Sequence, residues 1–177
     1  MTELRIRTKS KREMIDLTPR VAEVVAHAGL AEGLCSVYTP HATAAIVINE
    51  NDDPNVCVDV LDCLDRLIPA GVWRHDRVDA NAAAHIQSAI LGPGETIPVQ
   101  DGKLLLGTWQ AVMLVELDGP RERRVVVTVL VIAASPRSCG RARELRRSPS
   151  RRPFPPCAAS RAPTPVGPLP RLVERSC

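Results

Sequence analysis

The amino-acid sequence changes character near residue 134, and that break limits how much of the chain can build a core. From Ala133 to Cys177 there are ten arginines, no lysine, two acids (Glu144 and Glu174) and nine of the 16 prolines. Proline removes backbone donors and like charges repel, so this segment cannot bury enough apolar area to offset its ordering entropy. The 177-residue chain therefore reads as one domain over residues 1–134 followed by a disordered Arg/Pro-rich tail over 135–177. Arg, Pro and Ala are also what GC-rich codons supply in a frame not selected for a fold. A shifted or extended reading frame is favoured over an evolved basic arm, and truncation after Ala134 is expected to leave the body intact.

The formal net charge of +3 hides this asymmetry, since Met1 to Ile132 carries 13 basic and 18 acidic residues. An acidic body and arginines without an aromatic platform make nucleic acid an unlikely partner. Aromatic residues make up only 2% of the chain, so its core must come from Val, Leu, Ile and Ala. The longest apolar run, Val125 to Ala134, is far short of the roughly 18–20 residues a membrane span needs. Met1 to Glu13 has no apolar h-region, so the expected location is cytoplasmic, with no membrane partner. The six cysteines form no CxxC pair and read as reduced thiols.

Hydrophobic spacing sketches an α+β body. Leu4 to Thr8 and Met14 to Leu17 read as a first hairpin. Thr18-Pro19 opens a helix that Gly29 closes, with His27 as a dipole partner at its end. Leu34 to Thr39 and Ala44 to Asn49 read as short strands. Asp53-Pro54 caps a second helix whose buried stripe is Val56, Val60, Leu64, Leu67 and Ile68. Ala70 to Ala80 reads as a loop, and Asn81 can cap a short helix from Ala82 to Leu91. Three β-type runs follow, Glu95 to Val99, Leu104 to Glu116 and Arg123 to Ile132, the last two joined at Asp118-Gly119-Pro120. The apolar run Val125 to Ile132 fits a strand covered on both faces, at the centre of a sandwich or in a subunit interface.

Three histidines fall near element ends: His41, His75 and His85. Neutral imidazole is the commonest zinc ligand, and three of them with an open position suit a Lewis-acid metal. Their spacings match no local metal motif, so three unrelated polar or capping histidines stay open as the alternative. Glu50 ends an apolar run in Asn49-Glu50-Asn51-Asp52-Asp53-Pro54, a place suited to a general base, while Asp53 is favoured as a helix cap. In Gly107-Thr108-Trp109-Gln110 the indole could floor a pocket or sit in the core with its N–H bonded. Gly92-Pro93-Gly94 lacks the Lys and Ser/Thr of a phosphate-binding loop, and no GxSxG elbow is present.

Taken together and in order, Pro40-His41-Ala42-Thr43-Ala44-Ala45, Asn49 to Pro54, His75-Asp76, Ala84-His85-Ile86 and Leu106-Gly107-Thr108-Trp109-Gln110 closely resemble the YjbQ-like family. This is also called uncharacterised protein family 0047, or the secondary thiamine-phosphate synthase family, and the resemblance spans about residues 3 to 132. It implies a β-sandwich-like α+β fold of mixed sheets with a few short helices, assembled as a homotrimer. It also implies a divalent metal, zinc first, held by His41, His75 and His85. The activity implied is thiamine-phosphate synthesis, joining a pyrimidine methyl diphosphate to a thiazole phosphate with release of pyrophosphate. On that reading Glu50 and Asp76 move protons, and Thr43, Asn51, Trp109, Gln110 and Arg121 bind a small phosphorylated substrate, with Lys103 as a further phosphate holder. A non-catalytic trimer binding a metal or ligand is the alternative. The chain departs from the family pattern at Ala42, where a hydroxyl residue is common, which leaves Thr43 or Thr39 to replace it.

Overall fold

The structure is a computed structural model and is described here for residues 1–131. The expected tail, and with it Cys139, Cys157 and Cys177, lies outside the described residues. Eight strands and three helices follow in the order β1 (Thr2–Arg7), β2 (Glu13–Asp16), α1 (Thr18–Ala28), β3 (Gly33–Tyr38), β4 (Ala44–Glu50), α2 (Pro54–Leu67), α3 (Ala82–Leu91), β5 (Gly94–Gln100), β6 (Lys103–Leu104), β7 (Gln110–Glu116) and β8 (Glu122–Val131). A single 3-10 turn, Arg74–Arg77, interrupts the loop before α3.

The helix ends follow from local chemistry. Proline occupies the first turn of α1, and Gly29 closes that helix at φ 64°, a conformation that favours glycine. The His27 ring lies 2.8 Å from the Glu23 carbonyl, within the last turns of α1. Asp53 caps α2 by accepting the Asn55 N–H at 2.9 Å. Both are as expected, but α2 buries only Leu64 along its length. Leu67 is 72% exposed, so the expected apolar stripe is interrupted just before Ile68.

The strands form two sheets, ordered β1-β8-β3-β5-β6 and β2-β7-β4, and every pairing is antiparallel rather than mixed. The expected first hairpin does not exist. β1 pairs with β8 and β2 with β7, so consecutive strands go to different sheets. The run from Leu104 to Glu116 is likewise divided, because Leu105–Trp109 carries the chain from the five-stranded sheet to the three-stranded one.

Alternation then sets the layers. Val112, Leu114, Ala44 and Ile46 face Val125, Val127, Cys35, Val37, Ile97 and Val99 across the sandwich, with Val21 and Val25 of α1 closing this core. The opposite face of the three-stranded sheet, Ala45 and Val115, meets Ala84 of α3 and Leu61 of α2. β7 is therefore the strand covered on both faces, where β8 was expected to be. β8 buries Val125 and Val127 inward, but Leu130 and Val131 are more than half exposed. The two helices make this difference, since they cover the sheet that holds β7. Gln87 of α3 ties the helices together, donating to the Leu64 and Ile68 carbonyls at the end of α2 and accepting from Arg12 at 3.2 Å. Among the described residues no helix is long and apolar enough to cross a membrane.

Candidate functional site

The β4·β7 ladder runs from Ala44 opposite Glu116 to Glu50 opposite Gln110, seven residue pairs spanning about 20 Å. Candidate residues stand at both ends. At the Ala44 end a cleft of about 620 Å³ is lined by His41, Thr43, Asn81, His85, Arg121 and Arg123, among others.

Arg123, which lines this cleft, belongs to a buried ion pair. Glu116 has no exposed surface and Arg123 only 3%. Arg123 donates from Nε to Glu116 Oε2 at 2.7 Å and from Nη2 to Glu116 Oε1, Thr43 O and Thr43 Oγ1. The carboxylate also accepts from the Thr8 hydroxyl and from the Leu117 and Asp118 N–H groups at 2.9–3.0 Å. Burial alone would raise the pKa of Glu116, but Arg123, the Asp118 N–H and the Thr8 hydroxyl outweigh it and hold the carboxyl below its usual range. Neither residue was among the expected site residues. A parity signal was present, since Glu116 is in step with Val112 and Leu114, and Arg123 with Val125 and Val127.

On the cleft wall His41 Nε2 accepts the Arg124 N–H at 2.9 Å. Its proton then sits on Nδ1, making the ring a neutral donor. Burial first, then the charges of Arg123 and Arg124, lower the pKa of His41 against a smaller opposite effect of Glu116. Arg121 is fixed by Asp118 through its side chain (2.8 Å) and backbone carbonyl (2.7 Å). The Asn81 side-chain amide donates to the same carboxylate oxygen, Asp118 Oδ2, at 3.0 Å. Burial would raise the pKa of Asp118, but Asn81, Arg121 and the charge of Arg123 lower it.

His85 lies between two hollows. It lines the cleft with His41, and it also lines a groove of about 510 Å³ with Trp73, Arg74, His75, Ala82 and Ile86. The His75 and His85 rings meet edge to face with centroids 5.2 Å apart. The three histidines are thus neighbours around His85, yet they do not close a three-histidine centre. His41 has committed Nε2 to the backbone, and among the described residues no group of three His, Cys, Asp or Glu side chains could hold a metal. Asp76 does not face the cleft as a proton carrier. It caps its own loop, accepting the Trp73 and Ala82 N–H groups at 2.9 and 3.0 Å, and the bond from Trp73 foremost holds its carboxyl below the usual range.

The other expected residues stand at the far end of the ladder. Asn51 N–H bonds the Trp109 carbonyl at 3.3 Å, and the Asn51 side-chain amide donates to Asp16 at 3.0 Å. The Gln110 side chain accepts the Gly107 N–H at 2.8 Å, and the Gln110 N–H returns to the Gly107 carbonyl at 3.0 Å. Trp109 is 60% exposed, so it neither floors a pocket nor enters the core. Glu50, Asn51, Trp109 and Gln110 therefore form a group of their own, separate within one chain from Thr43, His41, His85 and Arg121. Lys103, in β6 beside the carboxy-terminal end of β5, does not line the cleft either.

Comparison with known proteins places this geometry. A family model described as "UPF0047 protein YjbQ-like" matches residues 2–131. A UPF0047 protein of Archaeoglobus fulgidus is 44% identical over 129 residues, 72% of this chain and 99% of the relative. The UPF0047 protein YugU of Bacillus subtilis is 38% identical over 130 residues, 72% of this chain and 96% of the relative. A crystal structure of an uncharacterized YjbQ/UPF0047 protein from Clostridium acetobutylicum superimposes with a TM-score of 0.71 at 40% identity, covering 73% of this chain and all of that one. A protein of unknown function from Sulfolobus solfataricus gives 0.70 at 38% identity, over 72% and 94% of the two chains. These names overturn one expectation. The relatives are identified only as UPF0047 or uncharacterized proteins, so the expected metal-dependent thiamine-phosphate synthase activity has no support in them and is withdrawn. The expected fold stands, and the chain belongs to the YjbQ-like UPF0047 family.

Proposed function

We propose that this protein binds a small phosphate-bearing molecule in the cleft of His41, Thr43, His85 and Arg121. The observation that carries this reading is a set of donors lining one open cleft beside a fixed cation, with Asp118 and Glu122 as the carboxylates of the same lining. Arg123 is locked by Glu116, and its hydrogen bonds use Nε and Nη2, leaving Nη1 for the cleft it lines. Thr43 Oγ1 accepts from Arg123, so its own proton remains to be given. His41 offers Nδ1–H, and Arg121 brings a second guanidinium. Phosphate oxygens accept bonds from such groups, and charge-assisted bonds are the strong ones. Glu50, Asn51, Trp109 and Gln110 have no part in this cleft within one chain.

Titration calorimetry with inorganic phosphate tests it. Binding should weaken as salt rises, and Arg121→Ala should weaken it about tenfold, equivalent to about 1.4 kcal/mol. Absence of binding, or equal binding by Arg121→Ala, overturns the reading.

Two further parts of the proposal rest on the family resemblance. A divalent ion, zinc first, would take His75 and His85 as imidazole ligands, supported by their close approach, with His41 outside. Elemental analysis of His75→Ala and His41→Ala should then show metal lost from the first variant only; equal loss from both would overturn this part. The homotrimer is the second part, and light scattering at micromolar concentration reads it directly.

A further inference from the structure

We infer that a second pocket, beside the phosphate cleft, is a binding site for a small aliphatic amino acid in its zwitterionic form.

This pocket, of about 390 Å³, is formed by the turn between β1 and β2, the end of α2, the start of α3 and the turn after β7. That volume is at the small end of ligand sites. Most of its polar groups are spent on one another. Arg12 pairs through Nη1 with Asp65 and donates from Nη2 to Gln87 Oε1 at 3.2 Å. Gln87 in turn donates to the Leu64 and Ile68 carbonyls. The Asn81 amide donates to Asp118 Oδ2 at 3.0 Å.

Two atoms are left over. Arg12 Nε and Asn81 Oδ1 are shielded from solvent and, among the described residues, have no hydrogen-bond partner. Buried polar groups are rarely left in that state, and those that are call for an explanation. One of the two is a donor and the other an acceptor. Each has charge of the matching sign beside it. Lys11 precedes Arg12 and lines the same pocket. Asp118 holds Asn81 and takes the bonds from Asn81 and the Arg121 guanidinium on Oδ2, so that its Oδ1 receives neither.

That pairing selects the ligand. An anion alone would suit Arg12 and Lys11 but meet the Asp118 carboxylate and the Asn81 oxygen. A cation alone would do the reverse. An α-amino acid carries both groups one carbon apart. Its carboxylate suits Arg12 and Lys11, and its ammonium suits Asn81 Oδ1 and Asp118, each through charge-assisted bonds. The lining holds Lys11 and Arg12 against Asp65 and Asp118, a balance that matches a molecule of zero net charge. The rest of the wall includes Ala80, Ala83, Ala84 and Leu117, against which a polar side chain would lose hydrogen bonds and a short aliphatic one would not. Asn81 and Asp118 also line the phosphate cleft, so the two sites stand on either side of one shared wall.

Titration calorimetry of the full chain with L-valine, acetate and methylamine tests the site. L-Valine should bind once per chain, and about tenfold or more tighter than acetate or methylamine, which each carry half of its charge. Ala83→Leu, which fills the pocket, should abolish that binding with an unchanged far-ultraviolet circular dichroism spectrum. Should Ala83→Leu misfold, Lys11→Glu decides: it reverses an exposed charge and should weaken L-valine about tenfold or more. Absence of L-valine binding overturns the inference, and so does acetate or methylamine binding as tightly. Unchanged binding in a folded Ala83→Leu or in Lys11→Glu also overturns it. Displacement of L-valine by inorganic phosphate would place the amino acid in the neighbouring cleft and overturn the second site, whereas the phosphate reading itself stands or falls on Arg121→Ala.

Discussion

The two ends of the β4·β7 ladder solve opposite problems with the same kind of side chain. At the Ala44 end a carboxylate, Glu116, is fully buried and meets a guanidinium, a hydroxyl and two backbone N–H groups. At the Gln110 end another carboxylate, Glu50, is half-buried at the strand terminus, beside a loop whose indole stands in solvent. Both carboxylates close apolar strands, and nothing in their immediate sequence separates them. What separates them is the company each keeps in three dimensions. One end is already satisfied by its own chain, and the other presents its groups outward.

Breaking the buried end should have the largest effect. Arg123→Met leaves Glu116 buried without its cation, a change of the kind that costs about 3–5 kcal/mol, measured by urea unfolding. Glu50→Gln at the other end should change stability by less than about 0.5 kcal/mol. Equal effects would mean that the two ends do not differ as described. A smaller effect sharpens the contrast at the head of α2, next to the exposed end. Asp53→Ala removes a cap bond and should cost about 1 kcal/mol in the same measurement.

Acid gives the smallest and most selective test. The folded pKa of Glu116 lies below its unfolded value of 4.5, so the folded state holds fewer protons over that interval. Its contribution is therefore fully present above pH 4.5 and is lost as pH falls through the folded pKa. His41 adds to this at higher pH. Its folded pKa lies below 6.5, so stability begins to fall as pH drops beneath that value. The stability loss below pH 6.5 should be smaller in His41→Gln than in the wild type, and an unchanged profile would remove His41 as a source.

Helices were legible in the sequence because their signals are local. Pro19, Gly29, Asp53 and Asn81 mark ends within a few residues of where the chain turns. Strand partners were not legible. Leu4–Thr8 and Met14–Leu17 look like a hairpin, yet their partners lie about a hundred residues further on, in β8 and β7. β7 and β8 are both apolar runs, and only the helices packed on one sheet decide which is covered twice. The site divides in the same way. Motif residues flagged His41, Thr43 and His85 together with Glu50, Asn51, Trp109 and Gln110, but motif order carries no information on which end of a ladder each will reach. Arg123 and Glu116 escaped because charged residues at strand ends usually point to water, and only their parity with buried valines and leucines says otherwise.

The buried pair has one more consequence, for register. A strand apolar on one face only is fixed in register, because a slip of one residue turns its apolar side to water. β7 lacks that protection, since Ala111, Val112, Met113, Leu114 and Val115 are all buried and either face would satisfy the core. Glu116 is the asymmetric mark at its end. A one-residue slip would carry that carboxylate to the other face of the sheet, away from Arg123 and Thr8, and leave two buried charges unmatched. Two charged side chains flanking a turn thus act as an index for a strand whose apolar residues cannot tell one alignment from the next.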